Sequence, residues 1–166
     1  VSTGYEPLAG GAALQKQLDA MVDRASDWEP AFGAVIESFH AIEKARFNAN
    51  GPGWLPLAEA TISMTGSWAR TNQNFDEILQ DTGVLMASIT SEGEGSYSIL
   101  TPFSVEAGTT VPYAHWHQTG GFRLHASGAG WPPQRKIVDL DSGAAEAWAA
   151  ILEGWLMSGE VEMSAL

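Results

Sequence analysis

The densest chemistry in this chain lies in residues 111–121, VPYAHWHQTGG, which hold two of its four histidines, His115 and His117. In a β-strand a His-x-His pair turns both rings to one face, which suits a metal ion. Pro112 near the start and Gly120-Gly121 at the end point instead to a short helix, where positions i and i+2 diverge. A three-ligand zinc site also needs a third donor. The remaining histidines, His40 in a helical stretch and His125 in a loop, are not fixed nearby by any pattern, and no His-Glu-x-x-His pair occurs. Packed or hydrogen-bonded histidines are the expectation. A small metal-dependent hydrolase using His115, His117 and a carboxylate is the enzymatic alternative.

Other catalytic sets are weaker still. There is no Gly-x-Ser-x-Gly elbow and no cysteine. Gly51-Pro52-Gly53, Gly93-Glu94-Gly95 and Gly128-Ala129-Gly130 lack the Gly-Lys-Ser/Thr ending of a phosphate loop and the dinucleotide fingerprint. Asp139 and Asp141 have the spacing that puts two carboxylates on one side of a strand, but Asp141 also stands where a helix cap belongs.

The elements that would position these residues follow from periodicity. Residues 1–10 have little apolar pattern and read as an arm. Residues 12–25 read as a helix with Leu14, Leu18, Met21 and Val22 on one stripe. Ser26 or Asp27 caps a second helix running to about Asn48, its inner face made of Phe32, Val35, Ile36, Phe39, Ile42 and Phe47. On that reading Glu37, Glu43, Lys44 and Arg46 face water. Asn50-Gly51-Pro52-Gly53 stops it. A short helix over 58–64 and a polar loop over 66–76 follow. Thr82 caps a brief helical turn through Ala87. Residues 88–92 and 96–101 read as a hairpin around Gly93-Glu94-Gly95. Residues 103–107 alternate again, 112–118 read as a short helix, 122–133 as irregular chain and 135–140 as a strand. Asp141 or Ser142 caps a last helix to about Met157, with Trp148, Ile151, Leu152 and Trp155 on its stripe; an acidic tail follows over 159–166. The expected fold is α+β: one domain over 11–158, with a small, mostly antiparallel sheet packed against a long helix and an additional helix at each end.

Composition narrows the function classes. The chain has 166 residues, enough for one domain with a real core. Its net charge is −12, from eight Lys and Arg against twenty Asp and Glu. From Ile137 onward there are six acids and no Lys or Arg. Sequence-specific DNA binding, which draws affinity from phosphate-contacting Lys and Arg, is therefore not expected. No apolar run spans a membrane, and the start lacks the basic-then-apolar order of a signal peptide, so an intracellular soluble protein is the expectation. Seven tryptophans favour aromatic anchors at subunit contacts.

Several short segments stand in a telling order: Trp54-Leu55-Pro56-Leu57 with Thr61, then Leu79-Gln80-Asp81-Thr82-Gly83-Val84-Leu85 with Ser88-Ile89. Gly108-Thr109, Pro112-Tyr113-Ala114 with His117-Gln118 and Gly120-Gly121, and Pro132-Pro133 with Arg135 complete the set. This ordered set, over about residues 30–140, resembles the phage virion morphogenesis family, the tail-completion or neck proteins of tailed bacteriophages. Two features depart from it: Arg70 is the only Lys or Arg between Gly51 and Gly121, and the Pro-x-Arg-Pro-Phe-like segment reads Pro133-Gln134-Arg135-Lys136-Ile137.

The resemblance implies a structural, non-enzymatic subunit with no cofactor. It implies a ring, commonly hexameric, at the head–tail junction of the virion, assembled in the host cytoplasm, through whose lumen DNA passes without specific binding. The partners it implies are further copies of the chain and neighbouring head-completion and tail-tube or tail-terminator proteins. A tail terminator or head-completion adaptor ring is the related alternative. Candidate contact residues are Trp54, Leu55, Pro56 and Leu57, Trp68 in the 66–77 loop, and Tyr113, Trp116, His117 and Phe122, in segments that combine aromatic anchors with surface-type backbone.

Overall fold

The computed structural model describes residues 10–63, 77–121 and 133–161. Along the chain these form α1 (Gly11–Ala25), α2 (Glu29–Asn48), α3 (Glu59–Ile62), α4 (Val84–Thr90), β1 (Ser96–Thr101), β2 (Ser104–Thr109), α5 (Ala114–Thr119) and α6 (Ser142–Ser158). The class is α+β, as the periodicities predict. Residues 1–9, 64–76, 122–132 and 162–166 lie outside the described residues, and with them the predicted loop over 66–76 and nearly all of the predicted arm and acidic tail.

The long helix α2 is the spine. Asp27 Oδ1 accepts from the Glu29 N–H, and Pro30 sits in the first turn, where its missing N–H costs nothing. Asn50, Gly51 and Gly53, all at positive φ, end it. Gly51 is required there twice over: a Cβ would lie 2.0 Å from the Trp54 ring, and φ is +80°. The lower half of α2 packs Phe39 and Phe47 with Trp54, Ile78, Leu85, Ile89, Val111 and Ile137. Its first half packs Ala31, Ala34 and Val35 against Ile151 of α6. Trp148 joins the two clusters and donates its indole N–H to Ser38 Oγ at 3.2 Å. Each large side chain sealed this way stabilises the fold by roughly 1.5–3 kcal/mol.

The predicted face of α2 is right except at Glu43 and Arg46, both expected to face water. Glu43 is buried, 2% exposed. It lies four residues from both Phe39 and Phe47, inside the apolar stripe. Arg46 follows it inward, its guanidinium bonded to Glu43 at 2.6 Å and to Asp141 at 2.7 Å. Asp141 in turn caps α6, accepting from the Ala144 N–H at 2.8 Å. One ionic chain thus fastens the end of α2 to the start of α6.

Two strand predictions fail. Residues 88–90 belong to α4, because Leu85, Ser88 and Ile89 turn one helical face onto the core, which outweighs the β-branched composition. The hairpin instead pairs β1 with β2, antiparallel, Thr101 opposite Ser104 and Ser96 opposite Thr109, across a Pro102-Phe103 turn. The Pro102 carbonyl accepts from the Trp28 N–H, tying the turn to the start of α2. Residues 135–140 form no strand, although burial alternates there as a strand would, Arg135 and Ile137 in, Lys136 and Val138 out. The backbone groups of Ile137 and Val138 bond to the Gln118 side chain instead of to a neighbouring strand.

The terminal helices differ in their burial. α6 ends at Gly159 with φ +76°, and its last carbonyls, Leu156 and Met157, accept from the Arg24 guanidinium of α1. Its predicted stripe holds, with Ile151 sealed and Trp148, Leu152 and Trp155 partly buried. The predicted stripe of α1 is mostly exposed: Leu14, Leu18 and Val22 are 57%, 47% and 68% exposed, and Met21 is partly buried. Among the described residues no helix is long and apolar enough to cross a membrane.

Candidate subunit-contact face

The segments of the ordered motif set, distant in sequence, converge on one cavity of about 540 Å³. Leu55, Pro56 and Leu57 form one wall, Tyr113 and His117 of the α5 region another, with Leu79, Leu85 and Arg135 completing it. Two carbonyls explain the convergence. Arg135, 6% exposed, donates from Nε and Nη2 to the Leu55 carbonyl at 3.1 and 2.9 Å, and from Nη2 to the Pro56 carbonyl at 3.3 Å. A planar guanidinium suits such a forked contact where an ammonium would not. Burial lowers the pKa of Arg135 from its usual value.

Arg135 is itself held by α5. Its N–H donates to the His117 carbonyl at 2.8 Å. Gln118 Oε1 accepts from the Ile137 and Val138 N–H groups at 2.8 and 3.0 Å, and its Nε2 donates to the Val138 carbonyl at 2.7 Å. The Trp54 indole N–H donates to the Lys136 carbonyl at 2.9 Å. Neither Arg135 nor Gln118 was singled out as a site residue by sequence reasoning. Both stand in the ordered motif set, and that was the available signal.

The predicted contact residues separate into classes. Trp54 is 8% exposed and packs edge-on against Phe47, ring centroids 5.3 Å apart, so it anchors its own loop from within. Leu55, Tyr113 and Trp116 are 59%, 43% and 45% exposed. Pro56 is exposed and Leu57 partly buried. Trp68 and Phe122 lie outside the described residues.

The two histidines diverge on α5, as a helix requires. His115 lies edge-on to Trp116 and lines a separate cavity beside β2. His117 meets Tyr113 edge-on at 6.4 Å, faces the 540 Å³ cavity, and its buried Nδ1 has no hydrogen-bond partner. Desolvation, and secondarily the charge of Arg135, lower its pKa and keep the ring neutral at physiological pH. Among the described residues no three His, Asp or Glu side chains gather where a metal ion fits. The cavity combines apolar walls with the Arg135 guanidinium, the His117 ring and the side chains of Asp81 and Thr82.

A model of the phage virion morphogenesis family matches residues 10–156. The chain belongs to that family. No curated protein and no solved structure matches it. The family is one of phage structure and assembly, so its members' work, and this chain's, lies in the virion or its construction. The matched range runs from the start of α1 into the last turn of α6, so the exposed helix and the cavity both fall within it.

Proposed function

We propose that this protein is a tail-completion subunit of a tailed bacteriophage, forming a closed ring at the head–tail junction. The observation that carries the reading is the family match over nearly the whole domain, residues 10–156. A closed ring repeats one heterologous contact, so each subunit needs two different, mutually complementary patches. Two such patches, built from different elements, support it: the exposed stripe of Leu14, Leu18 and Val22 on α1, and the cavity rim of Leu55 and Tyr113. Six copies are expected per ring, seated between head-completion proteins and the tail tube or its terminator. The protein acts by shape, without cofactor or bond chemistry. The net charge of −12 suits a lumen that repels phosphate, so that DNA slides through unbound.

The test is removal of the gene from its phage, followed by electron microscopy of the lysate. The reading expects filled heads and uncompleted tails lying separate, joined when the protein is supplied. Normal joined particles in its absence would contradict the reading.

A further inference from the structure

A second cavity, of about 240 Å³, opens between α2, β2 and residues 138–140. Phe39, Ile42, Val105, Leu140 and Trp148 give it apolar walls; Glu43 and Asp139 are the exceptions, and of these Glu43 is the buried one. Glu43 Oε1 accepts from Arg46 Nη1, while Oε2 is buried with no hydrogen-bond partner. A buried acceptor without a donor is costly and uncommon. Arg46 does not serve it, because its other terminal nitrogen is engaged by the Asp139 carbonyl and by Asp141 Oδ2. The charges around this end of the cavity are Glu43 and Arg46 from α2, Asp139 from the 138–140 segment, Asp141 at the start of α6, and Lys136, which meets Asp139 at 3.5 Å. Three carboxylates thus face two cations. Leu140 lines the cavity while 62% exposed, so it forms the outer edge and is free to turn aside.

The missing group is a positive donor at the end of an apolar stem. We propose that this cavity binds a primary alkylammonium the size of a lysine side chain, its methylenes on the apolar walls and its ammonium on Glu43 Oε2. The volume suffices, being that of roughly eight liquid waters. Protonation links to binding. Burial, opposed by Arg46, raises the Glu43 pKa to about 7, while an alkylammonium stays charged to well above pH 9. Only the ionised carboxylate pairs with the ammonium, so binding releases a proton.

The probe is n-butylammonium, followed by NMR at the Trp148 indole N–H and the Glu43 carboxyl carbon of the full chain. The expected result is saturable binding, about tenfold tighter at pH 8 than at pH 6, with the Glu43 titration midpoint moved down. Glu43→Gln should abolish both the binding and its pH dependence. Val138→Phe, which crowds the cavity and keeps the carboxylate, should abolish binding as well, and it carries the test if the first variant fails to fold. Blocked lysine binding more tightly than putrescine would make the natural ligand a partner protein's side chain; the reverse order would make it a free diamine. Absence of saturable binding, n-butanol binding equally well, or full binding to either variant would overturn the proposal. None of these outcomes depends on the ring.

Discussion

Gln118 grips Val138 at both of its backbone polar groups, accepting from the N–H at 3.0 Å and donating to the carbonyl at 2.7 Å. With the bond from the Ile137 N–H, one side-chain amide replaces the neighbouring strand that the 135–140 segment lacks. The same segment delivers Arg135 to the carbonyls of Leu55 and Pro56, so the motif around Tyr113 and the motif around Trp54 are joined through it.

Gln118→Leu keeps the size of this side chain and removes three bonds. Each intramolecular hydrogen bond contributes about 1 kcal/mol, so a loss of roughly 2–3 kcal/mol is expected in urea unfolding. Hydrogen exchange should also quicken at Ile137 and Val138. Unchanged exchange there would show that the segment is held by other contacts.

Much of this was legible in advance, and the exceptions have physical causes. α1, α2 and α6 announce themselves through apolar spacing, and α2 and α6 also through Asp27, Gly51 and Asp141 at their ends, all local signals. The hairpin was displaced because α4 is short and rich in residues that suit either state; what decides it is Leu85 and Ile89 meeting Phe39 and Phe47, which lie far away in sequence. The 135–140 segment shows the alternation of a strand, and its partner is a glutamine side chain on a helix, which no pairing rule anticipates. Glu43 was assigned to water by its charge, although its place in the stripe of α2 between Phe39 and Phe47 already pointed inward. The cavity itself was not readable, since it depends on Arg135 crossing to the Leu55 loop.

Glu43 makes stability depend on pH in an unusual direction. Its pKa rises from 4.5 to about 7 on folding, chiefly by desolvation, so between those values the folded chain holds more protons than the unfolded one. Its contribution is fully present below pH 4.5 and is lost as pH rises through 7. The loss from pH 5 to pH 8 should be about 2–4 kcal/mol at full effect. Glu43→Gln, which retains an acceptor for Arg46, should flatten that slope. The measurement is unfolding free energy at several pH values; equal slopes in the two proteins would place the carboxyl in water.

The stripe on α1 separates folding from assembly. Leu14→Asp with Leu18→Asp should change subunit stability by no more than about 0.5 kcal/mol per site, since both side chains are exposed. The same pair should abolish ring formation, read as the sedimentation coefficient of the purified protein. A matching loss should follow Tyr113→Asp or Leu55→Asp on the other patch. Rings that persist in all these variants would place the contact elsewhere on the subunit.

The most direct measurement is a cryo-electron microscopy map of the particle that carries this protein. The account predicts six copies in a closed collar between head and tail, α1 of each seated against the Leu55 and Tyr113 rim of the next, and acidic side chains turned to the DNA. The protein found elsewhere in the virion, or as isolated copies with α1 facing solvent, would contradict it.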